Sequence, residues 1–189
     1  MKKSGAQALA FCDKPPGKPR IALIFGADAG LVSTSADNLA ANWVPDLDPF
    51  NLIRLSDDDI RRDAQMLADE LVARSLLGGD RLIRLRVEKE ASTKPILEII
   101  ADIDKGLLNP EAHWIIEGGE LGKTSRLRVG IEAAESAIAL QLFADDEGAV
   151  EELVTKRLAA AGVAIEPTAL AAFTAELPGD RRMAMSELE

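Results

Sequence analysis

Five short apolar runs punctuate the first three quarters of the chain, and between them the apolar positions recur at helical spacing. "IALIFG" (21–26) is continuously apolar, as expected of a strand buried on both faces of a parallel sheet. In the segment that follows, Val32, Ala36, Leu39 and Trp43 fall at spacings of four, three and four, which is one face of a helix. "FNLIRL" (50–55) reads as a second strand. Ser56 with Asp59 predicts a capping-box start for a helix running to about Ser75, with Ala64, Leu67 and Leu71 as its stripe and Gly78-Gly79 as its stop. "RLIRLRV" (81–87) is a third strand with Ile83, Leu85 and Val87 on one face. A helix with Pro95 in its first turn presents Ile96, Ile99, Ile100 and Ile103. "AHWIIE" (112–117) and "AIALQL" (137–142) are the fourth and fifth strands, separated by a helix through Leu127, Ile131 and Ala134.

The order βαβαβαβαβ predicts an α/β domain over 21–142: a parallel five-stranded sheet covered by helices on both faces. After Phe143 the strand signal stops. Val150, Leu153, Val154, Leu158 and Ala161 form one helical stripe, and Leu170, Phe173 and Leu177 form another. "GDRRMAMSELE" opens a third helix that is unfinished at Glu189. Residues 143–189 are therefore expected to be a small all-α lid, incomplete at its C-terminus. Residues 1–20 are read as a tail or short helix followed by the linker "KPPGKPR".

Length and composition agree with this layout. The 189 residues suit one medium domain with a small appendage, and an apolar fraction of 47% can supply a core. A net charge of −10 argues against a domain that grips nucleic acid alone, because that affinity comes largely from Lys and Arg; a local basic patch within a larger assembly stays open. The one cysteine, Cys12, permits no internal disulfide and makes a reducing compartment the default. The one histidine, His113, leaves multi-histidine metal sites unsupplied and reads as a packed or edge histidine; no metal is expected. "MKKSGAQALAFC" has the outline of a lipoprotein signal, but its uncharged run is short and bulky Phe11 precedes the cysteine. No stretch approaches the ~20 apolar residues of a membrane span, so a cytoplasmic protein with no membrane partner is expected.

Two places invite a phosphate reading. "GGELGKTS" (118–125) ends in Gly-Lys-Thr, yet a phosphate loop requires four residues between its glycines and here Gly118 and Gly122 enclose three. It also follows the fourth strand, whereas the phosphate loop of such folds follows the first, where the next helix offers its N-terminus. It is read as a glycine turn with a helix start at Thr124 or Ser125. At the expected location stands "GADAGLVS". Laying the pattern from Gly26, through Gly30, puts Leu31 at the second glycine, Val32 at the lysine and Ser33 at the magnesium hydroxyl. Asp28 adds a carboxylate where triphosphate would lie, a repulsion of roughly several kcal/mol if poorly solvated. The third strand ends at Glu88 with no aspartate before it, so the magnesium and water-activating pair is absent as well. Neither catalytic residues nor a cofactor are expected.

The order and spacing of "LIFGADAGLV", "DPFNLIRLSDDDI", "ADELVARSLLGGDRLIRLR", "WIIEGGELGKTSRLR", "FADDEGAVEELVTKRLAAAG" and "LPGDRRMAMSELE" resemble the delta subunit of bacterial DNA polymerase III, part of the clamp loader. The resemblance spans Ile21 to Glu189. It implies an AAA+-like (P-loop NTPase-type) domain, a helical lid and a collar that lies outside this sequence. It also implies an ATPase fold without ATPase activity, classed with the DNA-directed DNA polymerase (a nucleotidyltransferase) only through the holoenzyme. The implied role is to bind the sliding clamp and open its ring for loading on primed DNA, alongside the other clamp-loader subunits and primer-template DNA.

The family's clamp-binding element is a short apolar hook after the second helix, carried here by Arg74, Ser75, Leu76 and Leu77, with Leu77 in place of a frequent aromatic. From the residues alone two outcomes stay open, since Leu76 and Leu77 adjoin a Gly-Gly turn and one helical face does not easily bury both. The pair either tucks under the sheet or leaves at least one leucine exposed as a binding anchor. Arg181 and Arg182 stand where active relatives place a nucleotide-sensing arginine. With Arg126 and Arg128 they are read as candidates for a salt bridge, a subunit contact or a DNA contact. The competing readings are a small nucleotide-dependent enzyme or kinase using Lys123, and an AAA+-like structural domain with another partner.

Overall fold

The structure, a computed structural model, describes residues 1–76, 78–88 and 92–143, together with Thr155, Leu158, Glu166, Ala169 and Leu170. The chain divides into two compact units, Met1–Leu142 and Phe143–Glu189. Of the described residues in the second unit, Thr155, Leu158, Ala169 and Leu170 are helical, and the Leu170 N–H donates to the Glu166 carbonyl at 2.9 Å. The remainder of the lid expectation, with Leu77, Arg181 and Arg182, lies outside the described residues.

The first unit is a wholly parallel sheet of six strands in the order β1-β6-β2-β5-β4-β3: β1 Lys2–Ser4, β2 Ile21–Phe25, β3 Leu52–Ser56, β4 Leu82–Val87, β5 His113–Gly118 and β6 Ala137–Gln141. The helices are α1 Ala6–Asp13, α2 Ala29–Trp43, α3 Asp57–Arg62, α4 Ala64–Val72, α5 Thr93–Asp104 and α6 Arg126–Ala133. The pattern-based count of five strands is corrected to six. The extra strand comes from the segment read as a tail, where three polar residues give no alternation to detect. It is held by backbone pairing, with Ala139 N–H donating to Met1 O and Gly5 N–H to Gln141 O, both at 2.9 Å. The N-terminal ammonium adds bonds to the carbonyls of Glu132 and Ala134, both at 3.1 Å, and Lys2 forms an ion pair with Glu132 at 3.5 Å. Its two lysines sit on an open sheet edge, where charge discourages further pairing. The rest of the segment is the short helix α1, which buries Ala8, Phe11 and Cys12.

The sheet separates two apolar layers. On one face α3 to α6 bring Ile60, Leu67, Leu71, Ile96, Ile100, Leu127 and Ile131 against Leu23, Phe25, Ile83, Leu85, Trp114 and Ile116. On the other, α1 and α2 pack Phe11, Leu31, Leu39 and Trp43 against Ala22, Ile24, Ile115 and Leu140. The central strand β2 is buried at all five positions, which is why its sequence shows no alternation.

The helix expected over 56–75 is two helices. The Asp59 carboxylate accepts from the Ser56 N–H at 3.0 Å and its hydroxyl at 2.7 Å, completing the capping pair at the start of α3. Asp63 then ends α3, its N–H donating to Asp59 O, and starts α4 with its carboxylate accepting from the N–H groups of Gln65 and Met66. One extended residue (φ −151°) resets the chain direction, so α4 runs toward the loop before β4.

Candidate functional site

The loop from Ala73 to Arg81 leaves α4 and enters β4, and its described residues are fastened at both ends. At its start, Arg81 donates to the carbonyls of Glu70 (2.7 Å) and Ala73 (3.0 Å) and pairs with the Glu70 carboxylate. These bonds satisfy acceptors that a helix C-terminus leaves open. At its end, one carbonyl takes two donors: Gly78 O accepts from the Ser75 hydroxyl at 2.7 Å and from Asn51 Nδ2 at 3.0 Å. Gly78 and Gly79 both adopt φ near +80°, the left-handed region that side-chain-bearing residues avoid. Arg74 forks onto Glu111 through Nε (3.1 Å) and Nη2 (2.8 Å). Between these fastenings Leu76 is exposed to the full extent of a free leucine, at 101%, with Val72 half-exposed just upstream. The open choice between a tucked and an exposed leucine is thus decided for Leu76.

The turn after β2, where the phosphate loop of such a fold would lie, has the opposite character. Gly26 is buried, and a Cβ built there would stand 2.5 Å from the Leu142 carbonyl oxygen, so the glycine is required by close approach of the chain leaving β6. Asp28 caps α2 with its own carboxylate, accepting from the Leu31 N–H at 3.0 Å, and thereby occupies part of the helix terminus that an anion would use. Leu31 and Val32, at the positions of the second glycine and the lysine, are core residues. Gly30 and Ser33 are half-buried, with the Gly30 carbonyl accepting from the Thr34 hydroxyl at 2.8 Å. The chemistry of this donor set does not suit a nucleoside triphosphate.

In "GGELGKTS" the Ser125 N–H closes a turn on Gly122 O at 3.0 Å, and Ser125 caps α6. Leu121 packs against the core while its carbonyl accepts from Arg128 at 3.1 Å, so the segment folds around a leucine in place of a phosphate. Lys123 is exposed on it. Arg126 is exposed at the start of α6, whereas Arg128 is not available to a partner. It is buried, donates to Glu132 (2.8 Å), Leu121 O (3.1 Å) and Gln141 (3.0 Å), and lies 5.1 Å over the Phe25 ring. Helical spacing placed it beside Arg126 without indicating which of the two points inward.

The two regions sit at opposite rims of the sheet. The 26–33 and 119–125 segments leave the C-terminal ends of β2 and β5, where Phe25 and Gly118 are register partners. The 73–81 loop enters the N-terminal end of β4, where Leu82 is in register with Leu52 and His113. Roughly 15–20 Å of strand lies between them. Sequence reading did not anticipate Asn51 or Arg81 as supports of the loop, since neither falls in a motif and each acts through tertiary contact.

No family model and no curated protein sequence matches the chain. Solved structures do match in fold. The Bacillus subtilis DNA clamp loader delta protein (YqeN) superposes with a TM-score of 0.63 at 12% identity, over 96% of this chain and 54% of that one. A Thermotoga maritima RuvB structure gives 0.53 at 16% identity, over 97% of this chain and 57% of that one. The chain spans little more than half the length of these structures, and the likeness establishes an AAA+-like fold. Among the described residues no helix is long and apolar enough to cross a membrane.

Proposed function

We propose that this chain is the clamp-engaging part of a clamp-loader delta subunit, binding a sliding clamp through the 73–81 loop and opening its ring without hydrolysing ATP. The observation that supports this most directly is Leu76: fully exposed, yet on a loop whose ends are fixed by Arg81, Ser75, Asn51 and two left-handed glycines. An apolar side chain kept in water on a loop fastened at its ends forgoes burial in the free protein and recovers it in a partner's pocket, with part of the ordering cost already met. The delta protein among the structural neighbours supports the choice of partner, and the Asp28-capped turn supports a non-catalytic role.

The mechanism is differential binding. Leu76, with Leu77, holds the clamp open only insofar as it binds the open or strained interface more tightly than the closed one. Other loader subunits, working on ATP, then decide when the loop is presented, and primer-template DNA enters in the assembled loader. Arg126, exposed on α6, remains a candidate for a subunit or DNA contact. Such work places the protein in the cytoplasm.

Binding of the full-length protein to its cognate sliding clamp tests the reading. Leu76→Ala with Leu77→Ala is expected to abolish binding while leaving the thermal midpoint unchanged. Retained binding refutes the proposal, and a large fall in midpoint assigns the pair to the core. Calorimetric titration with Mg-ATP separates it from the nucleotide-enzyme reading: affinity lost in Lys123→Ala would favour that alternative.

A further inference from the structure

Among the described residues of Met1–Leu142, Leu76 and Phe50 are the most exposed of the large apolar side chains, at 101% and 82%. They belong to loops that enter adjacent strands. Phe50 sits in the 3-10 turn Pro49–Asn51, which runs directly into β3, and Leu76 sits in the loop that runs into β4; Leu52 and Leu82 at the strand entrances are register partners. The two loops are also tied together. Asn51 is buried, and its amide is the donor that reaches Gly78 O at 3.0 Å. Phe50 is therefore separated from the 73–81 loop by a single peptide unit and one hydrogen bond.

Nor is the aromatic ring exposed through slackness. Pro49 fixes the first position of its turn, the Asp48 carboxylate accepts from the Phe50 N–H at 2.8 Å, and Asn51 N–H donates to Asp48 O at 2.8 Å. A capped turn that holds an aromatic side chain in water, beside a loop that holds a leucine in water, has the composition of a two-point anchor. The surrounding charge is acidic: exposed Asp46 precedes the turn, exposed Asp80 follows the glycine pair, and Arg74 is neutralised by Glu111.

We infer that Phe50 is a second anchor for the same ring-forming protein that Leu76 engages, inserting into a separate apolar pocket whose rim is basic. This rests on the clamp-binding reading of the loop. It is tested by measuring affinity of the full-length protein for the cognate sliding clamp in four forms: unaltered, Leu76→Ala, Phe50→Ala and Phe50→Leu. Expected are losses of about tenfold or more for each alanine variant, partial recovery in Phe50→Leu, and unchanged thermal midpoints. If Leu76→Ala weakens binding and Phe50→Ala does not, the second anchor is refuted and the clamp reading stands. If Leu76→Ala has no effect, the clamp reading fails and the two-point anchor with it, whatever Phe50→Ala does. A lowered midpoint in both Phe50 variants would assign the ring to the fold and overturn the inference.

Discussion

Asp28 and Leu31 are joined by a hydrogen bond of 3.0 Å from backbone N–H to carboxylate, at the start of the helix that follows β2, where a phosphate loop in a parallel α/β sheet offers its N–H groups to an anion. The chain thus supplies its own anion. Removing it in Asp28→Ala is expected to cost about 1 kcal/mol of stability through loss of the cap. It is not expected to create nucleotide affinity, because Val32 is buried where a lysine is needed. Chemical denaturation and a calorimetric Mg-ATP titration of the variant check the two halves, and heat of binding would contradict the second.

Gly26 offers a sharper stability test. The neighbour that a new Cβ would meet is the Leu142 carbonyl, which is itself fixed in place because the Leu142 N–H donates to Phe25 O at 2.8 Å. Backbone held on both sides does not yield as a side-chain tip would. Gly26→Ala is expected to cost about 1–3 kcal/mol, measured by urea midpoint. Gly122→Ala, where a Cβ meets nothing within 4 Å, should change stability by about 0.5 kcal/mol or less.

How far the sequence led can be seen at particular positions. β2 was readable because a strand buried on both faces must be apolar throughout, and Ser56 with Asp59 was readable because capping is local chemistry. Lys2–Ser4 was not, since three polar residues carry no alternation and the strand's pairing with β6 is set by backbone groups. Phe50 was read as the start of a strand from its neighbours Leu52, Ile53 and Leu55. The strand begins two residues later, and only the cap from Asp48 reveals a turn. Arg128 reads in the sequence, like Arg126, as a candidate for a salt bridge, a subunit contact or a DNA contact; its three acceptors and the Phe25 ring turn it inward. Two leucines meeting a Gly-Gly turn leave the exposure of Leu76 open, and the supports from Asn51 and Arg81 depend on which strands become neighbours.

Arg84 should behave as a buried ion-pair hub. It stands in mid-strand on β4, mostly buried, pairing with Glu117 on β5 (2.7 Å) and with Asp37 on α2. Arg84→Met is expected to cost about 2–4 kcal/mol, because Glu117, itself only 15% exposed, is left without a counter-charge. Adding Glu117→Leu should restore most of that loss. Failure of the double variant to recover would mean that the guanidinium contributes chiefly through packing.

Stability should depend on pH through His113. Burial lowers its proton affinity and nearby Arg20 lowers it further, against a smaller opposing pull from Asp80; the ring lies 5.0 Å from Trp43. The folded state therefore binds this proton less readily than the unfolded chain. Stability should be full above the ordinary histidine range and fall as pH drops below about 6.5. Because the chain has one histidine, His113→Asn should abolish that slope between pH 7.5 and 5.5, read from urea midpoints. In more acid solution a second loss is expected as Asp59, Asp104 and Glu132, all held below their usual range, take up protons.

The far separation of the 73–81 loop from the Asp28 turn makes them portable with respect to each other. A nucleotide-hydrolysing protein of the same strand order could receive the two strand-entry loops as a graft and keep its turnover, since nothing at its catalytic end would be rebuilt. On the clamp-binding reading proposed above, such a chimaera would gain a grip on the ring, and its ATPase rate and that adhesion should vary independently.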